Sequence, residues 1–109
     1  MPNVYTNAKK DLTSTDVTTL YTAPALTTAI VKSILVSEDS GNADTITVTI
    51  TDAESSPATF SIFKTKAVSA NATVELLTGP LVVQTGEALK VTAATANRLH
   101  VVASILEVS

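Results

Sequence analysis

Apolar and polar residues alternate most regularly over residues 28–52. Threonines occupy every second position near its end, and the intervening positions are Ile46, Val48 and Ile50. This period of two indicates a strand with one buried face. The preceding residues 38–44 contain three carboxylates, one glycine and one asparagine, as exposed loops do. The pattern predicts a β-hairpin whose second arm turns its three aliphatic residues inward.

Further strands are predicted between turn signals that recur about every ten residues. They cover residues 17–21, 59–64, 73–78, 81–84, 88–93 and 98–108. Alternation over 59–64 places Phe60 and Ile62 inward and Phe63 outward, where it would meet a neighbouring subunit or lie under a loop. About eight short strands of this kind are typical of an all-β, antiparallel β-sandwich or jelly-roll-like single domain, with a barrel as the alternative.

The first twelve residues differ from the remainder, so we divide the chain into an N-terminal arm or edge strand, 1–12, and a β-sandwich domain, 13–109. The N-terminal segment is mostly polar and has little apolar surface to bury on its own domain. We therefore expect it to dock on a partner. The interface residues expected from the sequence are Val4, Tyr5, Lys9, Lys10 and Phe63.

Composition supports an all-β domain and excludes several functions. Thr, Val and Ile supply 38 of the 109 residues, which favours sheet over helix. With 16% charged residues and a net charge of −3, the chain offers no basic surface for nucleic acid. Without cysteine it has neither disulfides nor thiolate ligands. Neither a signal peptide nor an apolar run long enough to span a bilayer is visible, so no membrane partner is expected.

No combination of residues indicates catalysis, so we expect no enzyme, no cofactor and no metal site. His100 is the single histidine, and a triad or zinc site requires partners that the chain lacks. The acidic residues of 38–44 could hold a hard cation, but they do not follow the EF-hand spacing, and a solvated loop is favoured. Four aromatic residues are too few to form a platform for bases or sugars.

The segment 21–36 resembles the Tyr-Thr-x-Pro-Ala-x-Thr-Thr-Ala opening common in small virion structural proteins of tailed phages, especially those of marine cyanobacteria. The similarity extends over about 90 residues. It includes the Ser-Gly-x-Ala-Asp turn at 40–44, the Ala-Asn-Ala-Thr-Val-Glu-Leu-Leu segment at 70–77 with the following Gly-Pro-Leu-Val-Val, and the closing Leu-Glu-Val-Ser. Such proteins include capsid decoration or cement proteins, so the resemblance implies a β-sandwich on the shell, often as trimers, without catalytic residues.

We therefore expect a capsid decoration or cement protein of a bacteriophage that binds the outer shell and stabilises it. Its expected location is the virion capsid surface, after synthesis in the host cytoplasm. The expected partners are the major capsid protein or another virion protein, and copies of itself in a homotrimer. Self-association is suggested by apolar residues on both faces of 30–36 and of 98–108. Alternatives are a tail, neck or fibre-associated virion module and, from a different class, a carbohydrate-binding β-sandwich.

Overall fold

The computed structural model describes residues 3–109, which form nine β-strands in two antiparallel sheets. The all-β sandwich predicted from the sequence is confirmed, with nine strands instead of about eight. The strands are β1 Asn3–Asp11, β2 Thr18–Thr22, β3 Thr28–Glu38, β4 Asp44–Thr51, β5 Thr59–Val68, β6 Thr73–Glu75, β7 Leu81–Val83, β8 Ala88–Ala93 and β9 Leu99–Val108.

The strand pairs are nested along the chain. Sheet I has the order β1-β9-β3, and both β6 and β7 pair with the far edge of β3; sheet II has the order β2-β8-β4-β5. The innermost pair is therefore β4 with β5, followed outward by β3 with β6 and β7, β2 with β8, and β1 with β9. This is the arrangement of a jelly roll, in which one long antiparallel hairpin is rolled into two packed sheets.

The core lies between the two sheets and is built from alternate residues of their central strands. In sheet I these are Ala29, Val31, Ile34 and Val36 of β3 and Leu99, Val101, Ala103 and Ile105 of β9; in sheet II they are Ile46, Val48, Leu89, Val91 and Ala93. Ile50 packs against this core and is half-buried. The inward face predicted for residues 45–51 is therefore confirmed.

The predicted hairpin over residues 28–52 is wrong. Its two arms became β3 and β4, which belong to different sheets: β3 pairs with β9, whereas β4 pairs with β8 and β5. Each arm has one buried face, and the two buried faces contribute to the core from opposite sheets. Alternation shows that one face of a strand is buried, but it does not show which other strand packs on that face.

Glu38 stabilises the crossing, by which we mean the loop 39–43 that connects β3 of sheet I to β4 of sheet II. Its buried carboxylate accepts hydrogen bonds from the backbone N–H groups of Ser40 (2.9 Å), Gly41 (3.0 Å), Asn42 (3.1 Å) and Asn71 (3.0 Å), and from the Ser40 hydroxyl. Burial alone would raise the pKa of Glu38. The hydrogen bonds from Ser40, Asn71 and Gly41 outweigh it and lower the pKa from 4.5 to about 2.

The outward face predicted for Phe63 is also wrong. Register shifts in β5 place Phe63 opposite the buried Val48, so Phe63 packs against the core and is half-buried. Phe60 lies on the inward side as predicted, because it is paired with Ile50, but it is 56% exposed on the outermost strand of sheet II. A β-bulge adds one residue on one strand and reverses the alternation beyond it. A second irregularity follows at Thr65, which has a positive φ of 49° and donates its N–H to the Thr47 hydroxyl.

The N-terminal segment forms an edge strand. β1 pairs with β9 along its whole length, from Asn3 opposite Val108 to Asp11 opposite His100. Leu12, which follows, is buried in the core. We expected little drive for this segment to pack on its own domain because it has few apolar residues, but the backbone ladder does not depend on them. Residues 1 and 2 of the expected arm lie outside the described residues.

Replacing Val48 with alanine tests the core. The side chain is fully buried between the sheets, so Val48→Ala should lower the free energy of unfolding by roughly 1–3 kcal/mol through lost burial and a cavity. Urea denaturation measures the change. Thr49→Ala, one position along on the opposite face, is the control and should have a smaller effect. An unchanged midpoint for Val48→Ala would contradict the core assignment.

Replacing Glu38 with glutamine tests the hydrogen bonds at the crossing. Because the folded state lowers the pKa of Glu38 to about 2, its stabilising contribution is present above the ordinary pKa and is lost as the pH falls from about 5 towards 2. Glu38→Gln should therefore be less stable than the parent at pH 7, and the difference should shrink over that interval. Urea midpoints from pH 7 to pH 2 measure this.

The matched control for that series is Glu54→Gln, because Glu54 is exposed in the loop between β4 and β5. The urea midpoint of Glu54→Gln should equal that of the parent at every pH. A stability difference between Glu38→Gln and the parent that stays constant down to pH 2 would show that Glu38 is not held as a carboxylate by these donors.

Candidate protein-interaction surface

The side of sheet I that faces away from sheet II carries apolar side chains across its whole width. We call it the outer face. One row crosses four of its five strands, because Ile30 of β3 pairs with Val82 of β7 on one side and Leu106 of β9 on the other, and Leu106 is next to Tyr5 of β1. Residues paired in register share a face. The row is therefore Val82, Ile30, Leu106 and Tyr5.

A second apolar row crosses the outer face further along the strands. Leu35 of β3 is paired with Val102 of β9, which in turn is next to Lys9 of β1. Between the two rows lie small or amide side chains, namely Ser33, Ser104 and Asn7. Two charged residues lie beside these side chains. Lys32 is exposed and lines the same surface depression as Asn7 and Ser104, and Glu75 of β6 is paired with Leu35. The apolar rows themselves are uncharged, and uncharged groups cost less to desolvate than charged ones when a partner covers them.

Exposed apolar side chains are concentrated on this face. Nine large hydrophobic residues are exposed in the part of the chain that the structure describes. Five of them lie on the outer face: Tyr5, Leu35, Val82, Val102 and Val108. Tyr5 is 75% exposed and Val82 is 51% exposed. Contiguous exposed apolar patches on soluble domains are most often interaction sites, whereas scattered residues carry no such meaning.

Leu26 adds an exposed apolar residue at one end of the face. It is 90% exposed and has a positive φ of 58°, a left-handed conformation that is costly for a residue with a branched side chain. It lies two residues before Thr28, which pairs with Val108 of the outer face. Strained backbone of this kind persists where the surrounding structure fixes it, and it often occurs at functional contacts.

Glu75 holds the β6–β7 side of the outer face in place. Its carboxylate accepts hydrogen bonds from the Ser33 hydroxyl and from the backbone N–H groups of Ile34 (2.8 Å) and Leu77 (3.1 Å). Burial would raise the pKa of Glu75, but these hydrogen bonds outweigh it and lower the pKa. The contact occupies the stretch of β3 between the part paired with β7 and the part paired with β6.

Tyr21 joins the two sheets near the C-terminal end of β9. Its phenol donates a hydrogen bond of 2.6 Å to the carboxylate of Glu107, which links β2 of sheet II to β9 of sheet I. Burial is the main reason that the pKa of Tyr21 is raised, and the hydrogen bond to Glu107 and its negative charge raise it further. This contact ties β9, a central strand of the outer face, to sheet II.

The structure brings together only some of the interface residues expected from the sequence. Tyr5 and Lys9 lie on the outer face. Val4 and Lys10 are also exposed, but they point to the other side of β1, because they pair with Glu107 and with the buried Val101. Phe63 lies in sheet II and is half-buried, so it does not belong to this surface.

The sequence did not identify the main residues of the outer face individually, although the segments that carry them were recognisable as apolar on both faces. Both faces of 30–36 and of 98–108 are apolar in the sequence. These segments became β3 and β9, which pair at the centre of sheet I, so their second apolar faces merge into one surface. Val82 had no such signal, because β7 has only three residues.

His100 and the acidic loop are occupied by contacts within the protein. His100 is half-exposed and lies between two carboxylates: Nε2 is 3.2 Å from Asp11 and Nδ1 is 3.4 Å from Asp39. Glu38 binds the loop backbone, and Asp44 accepts the N–H of Thr95 at 3.0 Å. The loop carboxylates therefore point to different partners. Residues 3–109 contain no group of three His, Asp or Glu side chains arranged to hold a metal ion.

Comparison of the sequence with protein-family models and with curated proteins gave no match. Within residues 3–109, no helix is long and apolar enough to span a membrane.

Proposed function

We propose that the chain is a structural protein of a phage virion that decorates the capsid shell and stabilises it. The observation that carries this proposal is the outer face of sheet I, which is crossed by two rows of apolar side chains. Contiguous exposed apolar patches on soluble domains mark sites at which other surfaces bind. The resemblance of residues 21–109 to small virion proteins of tailed phages supplies the kind of partner.

The size of the outer face suits such a contact. Four strand positions about 4.8 Å apart, each about nine residues long at about 3.3 Å per residue, cover on the order of 600 Å². Specific interfaces bury about 800 Å² per partner, so the face with its rim is of the right order for one stable contact. Covering the face on the shell would remove its apolar side chains from water and strengthen the shell by the same free energy.

We further propose the homotrimer as the working unit, located on the virion surface after synthesis in the host cytoplasm. Icosahedral shells offer three-fold positions, and a trimer placed there contacts several copies of the major capsid protein. Two-fold pairing is commoner among soluble oligomers, so the three-fold arrangement rests on the phage resemblance. Light scattering of the purified protein tests it: a mass of three chains supports the trimer, and a monomer contradicts it.

The location of the protein in the particle tests the proposed function. Electron microscopy of virions from the phage that encodes the chain should show it on the outer shell, and particles without it should disrupt at a lower temperature. Density only at the tail, neck or fibres would replace decoration with the alternative virion role. Absence from purified virions would overturn the proposal.

An aspartate at the β7 end of the first apolar row tests the surface itself. Val82→Asp introduces a charge that would have to be desolvated in the bound state, so occupancy on particles should fall at least tenfold while the thermal midpoint stays near that of the parent. Val17→Asp is the matched control, because Val17 is 64% exposed between β1 and β2 and does not belong to the outer face. Equal occupancy of both variants would show that binding uses another surface.

A further inference from the structure

β1 differs from the other edge strands of the sandwich in being long, regular and open. Within residues 3–109 no strand pairs with its second edge. It has nine residues, and its ladder with β9 shows no register shift. Such an edge presents a row of unpaired backbone groups to any extended chain that approaches it.

The other three edges carry features that hinder pairing. β5 has two register shifts and two exposed lysines, Lys64 and Lys66. β2 has five residues and a register shift. The remaining edge consists of β6 and β7, which have three residues each and are separated along β3. Bulges and short strands are usual means by which proteins block edge-to-edge association, and β1 has neither. Exposed lysines do not distinguish the edges, because β1 also carries Lys9 and Lys10.

The hydrogen-bond pattern shows which backbone groups of β1 point outward. Leu12 donates its N–H to the Leu99 carbonyl at 3.0 Å, in continuation of the β1–β9 register. Backbone groups of alternate residues point to opposite sides of an antiparallel strand. The even-numbered residues of β1 therefore face β9. The odd-numbered residues present their N–H and C=O groups at the open edge; they are Asn3, Tyr5, Asn7, Lys9 and Asp11.

We propose that this edge pairs with the same edge of a second copy of the chain, antiparallel across a two-fold axis at Asn7. In this register each odd-numbered residue is opposite an odd-numbered residue of the other copy, so the full strand pairs and about ten backbone hydrogen bonds form. The two sheets I join into one continuous sheet. A two-fold axis normal to that sheet leaves both outer faces on the same side.

The side chains of β1 are compatible with this register. Lys9 lies opposite Tyr5 of the second copy on the outer face, which allows the ammonium group to contact the aromatic ring. Lys10 lies opposite Val4, and Asp11 lies opposite Asn3. No lysine is directly opposite a lysine, whereas sliding one strand by four residues would place Lys9 against Lys9, and like charges directly opposite are destabilising.

This contact is independent of what covers the outer face. A trimer formed through another surface would leave its β1 edges open, and the same pairing would then join neighbouring trimers. A test of the edge therefore requires a readout that does not depend on the total mass of the assembly, and engineered disulfides provide one. The chain contains no cysteine, so every single-cysteine variant reports one position only.

Asn7→Cys is the decisive variant. Hydrogen-bonded residues directly opposite each other have Cα atoms about 5.5 Å apart, which is within the range that a disulfide spans. Mild oxidation of the full-length protein should therefore give a covalent dimer as the main product on a non-reducing gel. Asn7 is exposed, so folding should be unaffected, and a circular dichroism melt checks this.

Two further single-cysteine variants are matched controls. Lys9→Cys is also on β1, but the two copies of position 9 are four residues apart along the paired strands, about 13 Å. Ser104→Cys is exposed beside Asn7 on the outer face and would be linked only if two outer faces packed together. Both should remain at least tenfold less cross-linked than Asn7→Cys.

Each outcome of the oxidation experiment decides the proposal. Selective linkage through position 7 supports it. Preferential linkage through position 104 or 9, equal linkage at all three positions, or no linkage at any position overturns it. As a second measurement, Asn7→Pro removes the central outward N–H without removing a β1–β9 hydrogen bond, and edge strands accept proline at such positions. It should weaken self-association in sedimentation at least tenfold, and unchanged association would also overturn the proposal.

Discussion

The pairing of β3 with β9 is the interaction on which the remaining structure depends. These strands run side by side at the centre of sheet I from Thr28 opposite Val108 to Glu38 opposite Leu99. Their inward residues form half of the core. Their outward residues form the middle of the outer face. One ladder therefore sets both the stability of the domain and the position of its candidate interaction surface, so a register slip by one residue would exchange the two faces and destroy both.

The sequence predicted the strands better than it predicted their neighbours. Alternation identified the inward residues of β4, because each strand needs one buried face regardless of its partner. It failed for the crossing between β3 and β4, since a loop rich in acidic residues, glycine and asparagine suits a hairpin and a sheet-to-sheet connection equally well. It also failed for Phe63, because the bulges of β5 have no clear sequence signal and they reverse the alternation halfway along the strand.

Two carboxylates show why the candidate surface could be predicted only in part. Glu38 was expected in a solvated loop and Glu75 in an unremarkable strand, yet each collects hydrogen-bond donors from segments that are distant in the sequence. Asn71 supplies one donor to Glu38, and Ser33 and Ile34 supply donors to Glu75. Without these contacts the corner of the sandwich and the β6–β7 side of sheet I would have unsatisfied backbone groups. The shape of the outer face therefore depends on tertiary contacts that alternation does not encode.

The outer face and the open edge of β1 are adjacent, so pairing at the edge would strengthen binding through the face. Each copy offers a face on the order of 600 Å², which reaches the about 800 Å² per partner of a specific interface only together with its rim. Edge pairing across a two-fold axis would place two such faces side by side, and Tyr5 would move from the rim of one face to the middle of the combined one. The second face then binds as an intramolecular step, with a high effective concentration. A domain with few charges and no covalent cross-links can thus attach firmly through contacts that are individually modest.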